Sequence, residues 1–151
     1  MNCQTKKVLV VEDNDDCREL LAMIISRLGY EVIEATTGLD GIYRASTRQP
    51  DLIFMDVGLP GTTGLEATHH LKTHRSTQDI PIVINTAYAG ASIVKQAVEA
   101  GAAEVLHKPF GLLVLHDVLR RYLSPSNEPA EAHSAGNAPL VYRSSLAEDV
   151  L

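Results

Sequence analysis

Acidic residues, one hydroxyl and one lysine stand at the ends of four separate apolar runs, and side chains of these types could together transfer a phosphoryl group. In chain order they are Glu12, Asp13, Asp56, Thr86 and Lys108. Each one alone has an ordinary explanation, because polar residues are common where strands give way to loops. Chance does not explain why carboxylates follow two of the runs and a lysine a third, each time at the same end. The five residues therefore define a candidate site.

The apolar runs are short and regularly spaced, which predicts strands. They cover residues 7–11, 31–35, 51–55, 82–86 and 104–108. The first and third are nearly continuous in hydrophobicity, as in strands covered on both faces, whereas the second alternates and fits an edge position. Segments with apolar residues at three- and four-residue spacing separate the runs and predict helices. These helices cover residues 15–28, 38–48, 64–75, 91–100 and 111–123, with Thr37 a candidate cap of the second helix and Gly101 the end of the fourth.

Five successive strand–helix units predict an α/β fold with parallel strands and right-handed crossovers. The expected architecture is a doubly wound, open five-stranded sheet with helices on both faces. A closed eight-fold barrel would need roughly twice this length. We expect one domain over residues 1–123 and a flexible tail over residues 124–151, where Ser, Pro, Ala and Asn accumulate. The apolar patches at 140–142 and 149–151 could dock on a partner.

In an open parallel sheet the carboxyl ends of the strands meet at one edge, so the polar residues should lie together there. Three neighbouring carboxylates cannot all stay ionised without compensation, and Lys108 supplies only one positive charge. A hard divalent cation that also binds water and phosphate oxygens would supply the rest, which is the usual manner of Mg²⁺. The cluster has no His or Cys to favour zinc. The sequence thus predicts a magnesium site.

Asp56 is the candidate nucleophile of this site, since a carboxylate can accept a phosphoryl group as a mixed anhydride. Lys108 and the metal would neutralise the charge of the transferring group. Thr86 would donate a hydrogen bond to one of its oxygens.

Composition limits the classes of partner. The chain has 151 residues and a net charge of −6, which disfavours non-specific binding to nucleic acid or to an anionic membrane. No apolar run approaches bilayer length, and no hydrophobic signal region follows the N-terminal lysines. We therefore expect a cytoplasmic protein. Its two cysteines, Cys3 and Cys17, are expected to be reduced thiols.

Four motifs together resemble the receiver domain of bacterial response regulators. They are "VLVVEDN" with its acidic pair, "DLIFMDVGLPGTTG" with its aspartate, proline and Gly64, "INTAY" with its Thr-Ala, and "HKPF" with its Lys-Pro. They occur in the family's order at appropriate separations over residues 7 to 123. The resemblance implies a flavodoxin-like (βα)5 fold with strand order 2-1-3-4-5.

The resemblance also implies a role for each site residue. A partner histidine kinase or histidine phosphotransfer protein would phosphorylate Asp56. Asp13 and Asp56 would bind Mg²⁺ through their side chains, Glu12 mainly through water, and Gly58 through its backbone carbonyl. Thr86 and Lys108 would contact the phosphoryl group. The peptide bond between Lys108 and Pro109 would be cis.

Output in this family passes through the surface of helix 4, strand 5 and helix 5, where we expect a downstream protein to bind. One departure concerns this signal: the family often places an aromatic residue three positions before the lysine, and here that residue is Val105. A small, stiff valine cannot make the same rotamer change.

We expect no output domain in the chain, no catalysis beyond its own phosphorylation and dephosphorylation, and a monomer or weak dimer. We therefore expect a stand-alone receiver, with a module cut from a longer protein as the alternative.

Three other functions compete with this interpretation. A haloacid-dehalogenase-type phosphatase uses Asp-x-Asp, but Gly58 stands where the second aspartate is needed. A nucleotide-binding protein would have a glycine-rich loop after the first strand, where this chain has acids. A receiver-like binding module without phosphorylation stays open. His70 and His74, four residues apart, could bind a metal but lack a third ligand.

Overall fold

The computed structural model describes residues 4–88, 90–124 and 141–143, and its elements alternate as the sequence predicts. The strands are β1 (Lys7–Val11), β2 (Glu31–Ala35), β3 (Leu52–Asp56), β4 (Ile82–Thr86), β5 (Glu104–His107) and β6 (Val141–Arg143). The helices are α1 (Asp15–Arg27), α2 (Gly38–Arg48), α3 (Gly64–Thr73), α4 (Ala91–Ala100) and α5 (Leu112–Leu123).

All paired strands are parallel, and the sheet order is β2-β1-β3-β4-β5-β6. The five-stranded order implied by the resemblance is therefore confirmed, with β2 at an edge. The sixth strand was not expected. It lies in the segment that we predicted to be a flexible tail, and it pairs with β5. Apart from Ser124, the rest of that segment, including 149–151, lies outside the described residues, so the domain boundary stays a prediction.

Two hydrophobic layers hold the sheet between its helices. Alternate strand residues such as Leu9, Ile53 and Ile84 pack with Ala and Leu residues of α2, α3 and α4. The intervening residues, such as Phe54 and Val83, pack against α1 and α5. This alternation matters for function because it fixes the face from which each strand-end side chain projects.

Side-chain caps mark the starts of α1, α2 and α3, whereas α4 and α5 follow Gly90 and Gly111 without a side-chain cap. Asn14 Oδ1 accepts a hydrogen bond of 2.8 Å from the Cys17 amide at the start of α1. The predicted Thr37 cap of α2 is confirmed, since its hydroxyl accepts from the Asp40 amide. Thr63 and Glu66 form a reciprocal capping box at α3. Within the described ranges, no helix is both long and apolar enough to cross a bilayer.

Candidate active site

The predicted site residues converge at the carboxyl edge of the sheet. One oxygen from each of Glu12, Asp13 and Asp56 lies within 4.8 Å of the others. Glu12 and Asp56 are buried, whereas Asp13 is exposed. Among the described residues, no other three His, Cys, Asp or Glu side chains are grouped closely enough to hold a metal ion. Three hard oxygen donors, one of them exposed to solvent, suit Mg²⁺, which binds few protein ligands and keeps some of its waters.

Lys108 supplies the positive charge nearest to these carboxylates. Its Nζ lies 2.6 Å from Glu12 Oε1 and 2.9 Å from Asp56 Oδ1. Burial lowers the pKa of this ammonium, but hydrogen bonds and charge interactions with Glu12 and Asp56 outweigh burial and raise its pKa overall. Lys108 is therefore charged at neutral pH and offsets part of the repulsion between the acids.

The loop after β3 is shaped by two glycines close to Asp56. A Cβ on Gly64 would overlap the Asp56 carbonyl oxygen, so only glycine lets α3 start against the end of β3. A Cβ on Gly58 would lie 3.8 Å from Asp56 Oδ2, which places the Gly58 backbone beside the candidate nucleophile. Across the site, the Lys108–Pro109 peptide is cis, as the resemblance implies.

Thr86 ends β4 and has a partner within its own loop. Its Oγ1 donates a 2.8 Å hydrogen bond to the Tyr88 carbonyl and accepts one of 3.1 Å from the Tyr88 amide. Contact with a phosphoryl group would require the hydroxyl to exchange this donor bond. Tyr88 itself is 72% exposed, and its ring lies beside Gly90.

Val105 is completely buried in the layer against α2, α3 and α4. Nearby on the same strand, His107 Nε2 lies 3.0 Å from the Ala87 carbonyl. This hydrogen bond connects β5 to the residue that follows Thr86. No role for His107 follows from the sequence, and the structure shows that it contacts the Thr86 loop.

Arg18 on α1 was not predicted from the sequence, and it contacts three residues beside the site. Its guanidinium donates to the Glu12 carbonyl at 3.2 Å, to Glu34 at 3.0 Å and to Asp15 at 2.8 Å. Hydrogen bonds with Asp15 and Glu34 raise its pKa, although desolvation opposes them. Arg18 therefore holds the start of α1 and β2 against the backbone of the acidic pair. The signal available in the sequence was the i, i+3 spacing from Asp15.

Asn85 was also missed, and it is the neighbour of Asp56 in the sheet. The two residues pair in register between β3 and β4, and Asn85 is 3% exposed. Its Oδ1 is buried without a hydrogen-bond partner among the described residues. Like Val83 two residues earlier, it falls on the α1–α5 face of the sheet.

The two histidines of α3 form no candidate site of their own. The His70 and His74 rings stack at a centroid distance of 4.0 Å, and His74 Nδ1 lies 2.8 Å from the His70 carbonyl. No third potential ligand joins them among the residues described. Cys17 is a free, exposed thiol, while Cys3 lies outside the described residues.

The sheet order and the acidic, lysine-bridged edge define the receiver class of signalling proteins, and comparison with known proteins agrees. The family model described as the response regulator receiver domain matches residues 8–120. The chain therefore belongs to this family, whose members are receivers of two-component signalling rather than classical enzymes.

Individual relatives resemble it over nearly their whole length. The polar-differentiation response regulator DivK of Brucella ovis is 34% identical over 119 residues, covering 79% of this chain and 97% of DivK. The structure of the chemotaxis protein CheY4 of Vibrio cholerae superimposes with a TM-score of 0.75 at 28% identity, covering 80% of this chain and all of CheY4.

A third relative holds a metal. The receiver domain of the sensor histidine kinase PA1611 of Pseudomonas aeruginosa has a TM-score of 0.74 and 28% identity, covering 79% of this chain and 98% of that one. Its structure is described as having a magnesium ion coordinated in the active site cleft.

Proposed function

We propose that this chain is a phosphoacceptor switch in which Asp56 is phosphorylated in the presence of Mg²⁺. The metal would be held by the side chains of Asp13 and Asp56 and by the Gly58 carbonyl, with Glu12 acting mainly through water. Bound Mg²⁺ would supply charge neutralisation at the oxygens of the transferring group. The residues present fit such an ion, because the three carboxylates offer hard oxygen donors at one place.

Phosphorylation needs little covalent chemistry from the protein. A carboxylate oxygen of Asp56 forms a bond to phosphorus, the bond between phosphorus and the donor's leaving atom breaks, and that atom keeps the electron pair. Lys108 stays protonated and balances charge on the phosphoryl oxygens, while Thr86 turns its hydroxyl from the Tyr88 carbonyl toward one of them. Attack of water on phosphorus later restores the carboxylate, so the chain catalyses only its own modification.

One observation carries the proposal: the Lys108 ammonium joins Glu12 and Asp56, which come from two other strands. A purely structural ion pair would need one acid, and a second and third acid add repulsion. The excess of acids is explained if the cluster binds a divalent cation and the cation and Lys108 together bind an anionic group. A receiver-like module that only binds a partner would not require it.

We propose a histidine kinase or histidine phosphotransfer protein as the phosphodonor, whose phosphorus–nitrogen bond would break in the transfer. A downstream protein would read the modification at the surface of α4, β5 and α5. The expected cytoplasmic location and monomeric or weakly dimeric state belong to the same proposal. Nucleic acid and membrane are not expected partners, given the net charge of −6.

Intact-mass measurement after incubation with acetyl phosphate and Mg²⁺ tests the assignment. We expect one added phosphoryl group on the native chain, none on Asp56→Asn, and one on the control Asp16→Asn, whose side chain is exposed in the first turn of α1. Label that persists in Asp56→Asn would refute the site. Absence of label from every variant would favour the binding module.

A further inference from the structure

The hydroxyl of Thr86 and the imidazole of His107 hold the two polar ends of one peptide group. The carbonyl of Ala87 and the amide of Tyr88 belong to the same planar trans peptide, so they point in opposite directions and turn only together. The Tyr88 amide donates a 3.1 Å hydrogen bond to Thr86 Oγ1. The Ala87 carbonyl lies 3.0 Å from His107 Nε2, which is the donor because a carbonyl oxygen can only accept. The peptide is therefore fixed at both ends.

The ends of β4 and β5 place this imidazole beside Thr86. His107 is the last residue of β5 and pairs in register with Thr86, the last residue of β4. The next amide along the chain, that of Lys108, donates a 2.8 Å hydrogen bond to the Thr86 carbonyl. Thr86 is buried, whereas Ala87 and Tyr88 are exposed. The paired strand ends thus give the imidazole a fixed position, and the peptide that it contacts lies in an exposed loop.

This shared peptide couples the Thr86 hydroxyl to His107. In the proposed phosphorylation, the hydroxyl leaves the Tyr88 backbone and turns toward a phosphoryl oxygen. The Tyr88 amide then loses its acceptor, and of the two bonds that fix the peptide only the one from His107 is left. Conversely, while His107 holds the Ala87 carbonyl, the Tyr88 amide points at Thr86 Oγ1 and favours the unphosphorylated orientation of the hydroxyl.

We infer that His107 is a positioning residue for Thr86: through the peptide between Ala87 and Tyr88 it stabilises the orientation in which the Thr86 hydroxyl bonds to the Tyr88 backbone. The effect on phosphorylation rests on the proposed function. Val105 cannot act in this way, because its side chain has no polar atom and is 0% exposed. Loss of the His107 donor should release Thr86 and accelerate phosphorylation, and one net hydrogen bond corresponds to about a fivefold change.

Amide hydrogen exchange of Tyr88, followed by NMR in the unphosphorylated full-length chain, tests the contact directly. In His107→Leu a side chain of similar size lacks the donor, and the Tyr88 amide should exchange about fivefold faster. His107→Gln restores a donor nitrogen about as far along the side chain as Nε2 and should exchange as the native chain does. His116→Leu, at an exposed histidine of α5, is the matched control and should also match the native chain. An unchanged exchange rate in His107→Leu would overturn the inference.

The rate of phosphorylation by acetyl phosphate in the presence of Mg²⁺ is the second readout. His107→Leu should be labelled about fivefold faster than the native chain, and His107→Gln at the native rate. In a Thr86→Val background, His107→Leu should leave the rate unchanged, because the hydroxyl through which it acts is absent.

Two results would overturn the inference while the proposed function stands. One is a labelling rate in His107→Leu equal to or below that of the native chain, and the other is an equal acceleration in the Thr86→Val background. Absence of label from the native chain would instead refute the proposed function, and the exchange of the Tyr88 amide would still decide whether His107 positions Thr86.

Discussion

Lys108 forms its ion pairs across a strand: from the end of β5 its ammonium passes β4 and lies 2.9 Å from Asp56 on β3 and 2.6 Å from Glu12 beyond β1. One side chain thus ties together the ends of three strands. The carboxylates it contacts are buried, and each would be left without a cation if the lysine were removed.

Replacing this lysine should cost stability that a metal can restore. In Lys108→Met the aliphatic stem is kept but the ammonium is lost, and we expect the metal-free protein to lose about 3–5 kcal/mol because two buried acids lose their counter-ion. Urea unfolding measures this loss. Lys95→Met, at an exposed position of α4, is the matched control and should change little. Millimolar Mg²⁺ should raise the melting temperature of Lys108→Met more than that of the native chain, and an equal shift would contradict the charge argument.

Neutralising Asp13 should have the opposite effect on the metal-free protein. Asp13 is exposed but lies within the acidic cluster, so Asp13→Asn relieves repulsion and should raise the melting temperature without metal while weakening Mg²⁺ binding. Asp16→Asn is the control at a nearby exposed acid. It removes a favourable interaction with the α1 dipole, so its effect should be a slight loss. A metal-free Asp13→Asn protein less stable than native would show that Asp13 stabilises the cluster more than its charge repels the neighbouring acids.

The local signals in the sequence predicted the regular elements closely. As expected, α2 begins after Thr37 and α4 ends before Gly101. The five predicted strands agree with the observed ones within one residue. These signals are short-range: a capping hydroxyl, a glycine with positive φ, and runs of buried residues. α3 ends at Thr73 rather than residue 75, since His74 adopts an extended conformation.

Contacts that do not follow from the shared edge of parallel strands could not be predicted. Arg18 is positioned by β1, β2 and α1 together, and the sequence reveals only its spacing from Asp15. β6 is three residues long and follows Pro139, so it has too few residues for a period to be recognised. The convergence of Asp56 and Lys108 was predictable because parallel strand ends must share an edge, but the distances from the lysine to Asp56 and Glu12 were not.

The buried contact between α5 and β5 should raise the pKa of Tyr122. Desolvation, followed by the charge and hydrogen bond of Glu104, raises the pKa of Tyr122 to about 12 from 10.0. Absorbance of phenolate should therefore show a component near pH 12 that disappears in Tyr122→Phe. Tyr43→Phe, at a tyrosine that is 65% exposed, is the control and should leave the component near pH 12 in place.

The same shift has a consequence for stability. Because the folded protein keeps the phenol proton longer than the unfolded chain, this contribution is complete below pH 10 and is lost as pH rises from 10 to about 12. Unfolding measured across that window should decline less steeply for Tyr122→Phe than for Tyr43→Phe. Equal slopes would show that Tyr122 is not perturbed in the folded state.

Asn85 should be a position where an apolar residue stabilises the metal-free protein. Its carboxamide lies in the sheet beside Asp56, and Oδ1 is buried without a partner among the described residues, a state that costs about 1–3 kcal/mol. Asn85→Val removes that cost, fills comparable space and suits a strand. We expect a higher urea midpoint with an unchanged slope.

The companion variant Asn85→Ala separates polarity from packing. It removes the same carboxamide but leaves a cavity in the core layer that contains Phe54 and Leu106, so its gain should be smaller than that of the valine, or absent. If both variants lose stability, the Asn85 side chain must form a hydrogen bond in the folded state in solution. Asn85 Oδ1 would then have a partner, and its burial would carry no unpaired-acceptor cost. The rate at which acetyl phosphate phosphorylates Asn85→Val distinguishes a purely structural role from participation in the site. We expect an unchanged rate, because the charges that act on the phosphoryl group come from Lys108 and the acidic cluster. An unchanged rate would mean that Asn85 affects only the stability of the fold.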